Sequence, residues 1–90
     1  MDKNYISFSN FESVSDFIFS LNHGREIEFC WKGVYYGAFH EEDNVYSVNE
    51  SDKPETEVVF NSVNELMDFV IQGQPLKDII TRVEVCWRNI

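Results

Sequence analysis

The sequence predicts an α+β domain, a small antiparallel β-sheet with two principal helices packed on it, in the order α-β-β-β-(β)-α-(α)-β. Three observations carry that prediction. Residues 10–22 place apolar side chains at helical spacing, residues 25–40 alternate in period two about a central Lys-Gly, and a Ser-x-x-Glu signal opens another helix at Ser62. At 90 residues the chain has room for one domain, 1–90, and one modest core.

The first helix is expected over "NFESVSDFIFSLN". Ser9 and Glu12 form an S-x-x-E capping box, and Gly24 supplies a stop beyond His23. Phe11, Val14, Phe17, Ile18 and Leu21 share one stripe at about 100° per residue. Phe19 stands off that stripe, either an exposed ring available to a partner or, as expected, covered by a neighbouring loop.

The aromatic-rich stretch "EFCWKGVYYGAF" (28–39) reads as a hairpin turning at Lys32-Gly33, because glycine accepts the positive φ of a two-residue turn. That turn pairs Trp31 with Val34, Phe29 with Tyr36, Ile27 with Ala38 and Cys30 with Tyr35. Ile27, Phe29 and Trp31 then share the core face, and Glu26, Glu28, Cys30 and Lys32 share the other. Tyr35 and Phe39 are left on the face away from the core.

"EEDN" (41–44) is a second turn and "VYSV" (45–48) a short strand. "NESDKPETE" (49–57) is polar with a proline, hence an exposed loop, and "EVVF" (57–60) is a further short strand. Ser62 and Glu65 open "VNELMDFVIQG", with Val63, Leu66, Met67 and Val70 as its buried stripe and Gly73 as its end. Pro75 starts one or two helical turns. In the last strand Val83, Val85 and Trp87 alternate with Glu84, Cys86 and Arg88.

"EFCWKGVYY" (28–36), "SVNELMDFVIQG" (62–73) and "IQGQPLKDII" (71–80) together resemble small uncharacterised bacterial proteins. Those carry an E-F-x-[YW]-x-G-x-x-Y hairpin, an S-x-x-E-L helix and a C-terminal I-x-G-x-x-L-x-D-I. The resemblance covers about half the chain, and it implies a small α+β fold and no activity. Gln72 departs from the pattern, which has an acidic residue before the glycine.

Charge is the strongest compositional signal. Seven Lys+Arg against sixteen Asp+Glu give −9, a field that repels nucleic acid and anionic membranes and attracts basic proteins. Glu41, Glu42, Asp43, Glu50, Asp52, Glu55 and Glu57 stand against Lys53 alone, so residues 41–57 carry −6 of it. The N-terminus has no basic region followed by an apolar run, so no secretory signal is expected, and no apolar stretch is long enough to span a membrane. The expectation is a cytoplasmic protein with reduced thiols.

Chemistry finds little support. Two Cys and two His are the inventory for one zinc, but their spacing is wrong for a recognised ligand set. In the hairpin register His40 lies five residues along the strand from Cys30, roughly 16 Å away. No metal or other cofactor is therefore assigned. Cys30 has Glu28 and Tyr35 as neighbours, which disfavour a thiolate, and no histidine can be placed near Cys86. The four glycines are scattered singly, so there is no phosphate loop. Neither acidic turn has the alternating ligands of a calcium loop. Tyr35, Phe39 and Tyr46 are candidate exposed rings, but acids surround them, which opposes stacking on nucleic acid.

What remains is protein binding without catalysis. The candidate contact residues are Tyr35 and Phe39 with Glu41, Glu42, Asp43, Glu50, Asp52, Glu55 and Glu57, aromatic anchors inside a charged rim. The expected partner is a basic nuclease or nucleic-acid-binding protein, blocked by charge mimicry as an immunity protein or an anti-CRISPR would block it. The alternative is a metal- or small-ligand-binding module using His23 and His40 with nearby carboxylates.

Overall fold

A computed structural model describes residues 9–88; the reading of residues 1–8 as free of a secretory signal lies outside them. The chain runs α1 (Val14–Gly24), β1 (Glu26–Trp31), β2 (Val34–Glu42), β3 (Val45–Glu50), β4 (Lys53–Phe60), α2 (Val63–Asp68), β5 (Val70–Ile71), β6 (Gln74–Pro75), α3 (Leu76–Ile79) and β7 (Glu84–Trp87). The main sheet has the order β4-β3-β2-β1-β7 and is antiparallel throughout, while β5 and β6 make a small hairpin of their own. The α+β class is the one expected.

The β1–β2 register is the expected one at every pair, from Glu26 opposite Phe39 to Trp31 opposite Val34. Lys32 and Gly33 both take positive φ, 49° and 84°, which matches the right-handed twist of the flanking strands. Ile27, Phe29, Tyr36, Ala38, Tyr46, Val48 and Phe60 cover one side of the sheet. They bury it against Phe17 and Leu21 of α1, Leu66 and Met67 of α2, and Leu76 and Ile79 of α3 in a single core.

Several expectations give way. The first helix starts at Val14 because Ser13, not Ser9, is its N-cap: Asp16 N–H donates to Ser13 Oγ, and the Asp16 carboxylate accepts from Glu12 N–H. Phe11 then lies outside the helix and packs edge-on against Phe17, ring centroids 5.2 Å apart. Gly24 is the last helical residue, and Arg25 takes the left-handed conformation beyond it, φ 67°. Phe19 is uncovered, 62 % exposed, and stacks on His23.

Residues 49–57 are strand rather than loop. β3 continues to Glu50, a tight turn follows with Asp52 at φ 64°, and β4 begins at Lys53. Pro54 is tolerated because β4 is an edge strand. An irregularity between Val48 and Glu50 is closed by Thr56, whose hydroxyl accepts from Glu50 N–H and donates to the Lys53 carbonyl.

The second helix has the expected Ser62 cap and Glu65, which accepts from Asn61 N–H, but it ends at Asp68. Gly73 ends no helix; with Gln72 it forms the positive-φ turn of the β5–β6 hairpin. That hairpin turns Val70 outward, 57 % exposed, and buries Ile71 instead. Pro75 is the extended N-cap of α3, not its first helical residue.

In β7 a bulge at the β1 pairing shifts the register: Phe29 faces Val85, but Glu28 faces Trp87. The expected alternation therefore inverts after Val85. Trp87 joins Glu28 on the far side, and Arg88 is buried against α1.

Candidate protein-docking face

Period-two geometry sends Glu26, Glu28 and Cys30 to the side of the sheet opposite the core, and the register carries three cross-strand rows over that side. The first row is Glu26, Phe39, Ser47 and Val59; the second is Trp87, Glu28, Gly37 and Asn49; the third is Glu84, Cys30 and Tyr35. Among the described residues no lysine or arginine stands in these rows, and Lys53 lies at their margin, in a cleft with Glu28 and Tyr35.

Phe39 owes its position to Gly37. A Cβ on Gly37 would come within 3.0 Å of Phe39 Cε2 and Cζ, so the ring lies along the strand over bare backbone. A cleft opens on each side of the ring. One, of about 290 Å³, has Glu26, Glu28, Asn49 and Asp52 in its walls; the other, of about 270 Å³, has Glu41, Pro54 and Glu57. Ser47, fully buried in the row beside Phe39, donates from Oγ to Glu41 Oε2 at 2.7 Å and so holds that carboxylate at the cleft. Tyr35 and Val59 are 56 % and 54 % exposed at the two ends of the face.

The described basic side chains are engaged with other groups. Arg25 donates to the Glu41 carbonyl, Lys32 lies over the Trp31 ring, and Lys53 stands 3.5 Å from Glu50 at the edge of the face. Lys77 pairs with Asp68, Arg82 donates to the Asp78 carbonyl, and Arg88 pairs with Asp16.

The acids predicted as one segment fall into separate groups, because β3 carries the chain from one end of the sheet to the other. Glu41 and Glu57 reach the Phe39 clefts, and Asp52 approaches from the β3–β4 turn. Glu42 and Asp43 occupy the β2–β3 end of the sheet, exposed. Glu50 pairs opposite Tyr36 on the core side and binds Lys53, and Glu55 is exposed on the edge strand. Tyr46 is not an exposed ring: it is buried at 5 %, and its hydroxyl donates to Asn22 Oδ1. Glu26, Glu28 and Glu84 share this face without being among the candidates read from the sequence, although period-two alternation sets Glu26 and Glu28 beside Phe39 and Tyr35.

The two histidines are tied locally. His23 Nδ1 donates to the Phe19 carbonyl at 2.9 Å. His40 Nε2 donates to the Asp43 carbonyl at 2.6 Å, while its ring stacks on Tyr46 at 4.5 Å. Among the described residues no group of three or more His, Cys, Asp or Glu is arranged to hold a metal ion. Burial pushes the Cys86 thiol up, and Cys30, Glu84 and Glu28 add to the effect, which leaves it a poor nucleophile. No described helix is long and apolar enough to cross a membrane. No family model, curated protein or solved structure matches the chain.

Proposed function

We propose that this chain is a non-enzymatic, acidic protein-binding module that inhibits a basic nuclease or nucleic-acid-binding protein. It acts as an immunity protein or an anti-CRISPR would, offering carboxylates where its partner receives phosphates. The observation that carries this reading is the side of the sheet opposite the described helices, where the Phe39 ring lies between clefts walled by Glu26, Glu28, Glu41 and Glu57. Aromatic side chains inside a charged rim are the anatomy of a protein-docking surface, and a net charge of −9 steers basic partners towards it.

The experiment is capture on the immobilised chain, followed by assay of the captured protein's nuclease or nucleic-acid-binding activity with and without the free chain. A basic protein is expected, inhibited in proportion to occupancy and released as salt rises towards about 0.5 M, where screening is nearly complete. Capture of acidic proteins only, or binding unchanged at that salt, removes charge mimicry as the mechanism.

A further inference from the structure

We propose that the face of the sheet opposite the described helices selects arginine over positive charge in general, by taking an extended, arginine-bearing segment of the partner across its strands with guanidinium groups against the Phe39 ring. This rests on the function proposed above and adds the chemistry of recognition.

The argument starts from Gly37. Its missing Cβ lets the Phe39 ring lie along the sheet, and the ring then divides the face into two clefts of about 290 and 270 Å³. Each cleft has the size of a side chain, not of a helix, and each has carboxylates in its wall: Glu26, Glu28 and Asp52 on one side, Glu41 and Glu57 on the other. A flat ring with carboxylates at its margins fits a planar cation that stacks and donates several hydrogen bonds at once. Guanidinium does both, whereas an ammonium is a compact, strongly hydrated point charge that does neither well. Ser47 fixes Glu41 by one oxygen, so part of the wall is set before anything binds. A second copy of the chain is the wrong occupant, because each carries −9. Nucleic acid is the wrong occupant for the same reason.

The test uses the full chain, labelled with nitrogen-15, titrated with capped Arg-Gly-Arg-Gly-Arg and with its lysine counterpart at about 0.15 M salt. The arginine peptide is expected to bind roughly 10-fold tighter and to move the amides of Gly37, Phe39 and Asn49. Phe39→Leu is expected to bring that ratio near one while the lysine peptide's affinity stays within about twofold. Gly37→Ala, which forces the ring aside, is expected to do the same if Phe39→Leu does not fold.

Equal affinities for the two peptides, or a preference that survives both substitutions, overturn the arginine reading. Amide changes confined to Glu42–Asn44 overturn the choice of face. Salt-sensitive binding of both peptides with no preference leaves the acidic-binder function standing while arginine selection falls. No binding of either peptide overturns both.

Discussion

Arg88 Nη2 donates to Asp16 Oδ1 at 2.8 Å, joining the end of the last strand to the first turn of the first helix across 72 positions of sequence. The same nitrogen donates to Ser20 Oγ at 2.7 Å, and the guanidinium lies 4.3 Å above the Phe11 ring. With its side chain only 10 % exposed, this arginine fastens the end of β7 to α1. Arg88→Ala removes one donor from Asp16 and one from Ser20 and opens a cavity against Phe11. It is expected to cost about 3 kcal/mol, read as a lower urea midpoint. Arg88→Lys keeps the charge without the planar fork and is expected to recover less than half of that loss.

Asp16 also makes stability depend on pH. Its carboxyl is held below the ordinary 3.8, chiefly by the Glu12 backbone N–H; burial opposes this, and Arg88 adds to the lowering. A group lowered in the folded state contributes fully above its unfolded value and loses that contribution as pH falls through the folded one. The stability difference between the chain and Asp16→Asn is therefore expected to be constant near neutrality and to shrink below about pH 4, in denaturation series run across that range. A difference that grows on acidification would mean that the carboxylate is not the stabilised form.

Trp31 tests the face assignment of the hairpin. The ring is half-buried against the core edge with Lys32 and Arg82 each 5.4 Å from its centroid, and its indole N–H is buried without a partner. Trp31→Ala is expected to destabilise by about 3 kcal/mol, at the low end for a truncated tryptophan. Trp31→Phe, which removes the orphaned N–H and keeps much of the packing, is expected to cost under about 1 kcal/mol.

Charge reversal separates the two acidic regions. Glu28→Lys with Glu57→Lys alters both clefts beside Phe39 and is expected to lower affinity for a basic partner by at least about 100-fold. Glu42→Lys with Asp43→Lys makes the same change in net charge at the β2–β3 end and is expected to cost less than about 10-fold, mostly in association rate. Calorimetric titration and stopped-flow mixing read the two effects.

The parts of the fold legible in the sequence are those fixed by local chemistry that agrees with its surroundings. The Lys32-Gly33 turn set a register in which Ile27, Phe29, Tyr36 and Ala38 all met the core, and Ser62 with Glu65 announced α2. What escaped was settled at longer range. Pro54 and the charges around it look like loop, yet an edge strand needs no donor at that position. Ser13 competes with Ser9 for the cap and wins because Phe11 is drawn into the core. The bulge near Cys86 has no local signature, and it alone decides that Arg88 rather than Trp87 faces α1. The candidate face was half visible: Tyr35, Phe39, Glu26 and Glu28 followed from the hairpin, but bringing Glu84 beside them needed the pairing of β7 with β1.

The edge strand β4 has a consequence for how the molecule behaves in bulk. It ends in Val58, Val59 and Phe60, the two valines 37 % and 54 % exposed, and among the described residues no strand pairs with its outer backbone. Such an edge is a template for stacking copies, and Glu55 and Glu57 are the gatekeepers that prevent it while they are ionised. Near the isoelectric point, about 4.4, the net charge and with it the repulsion between molecules fade. Turbidity on mild acidification, reversed by returning to neutral pH, is the behaviour expected of this edge, so the acidic surface also sets the window in which copies of the chain stay apart.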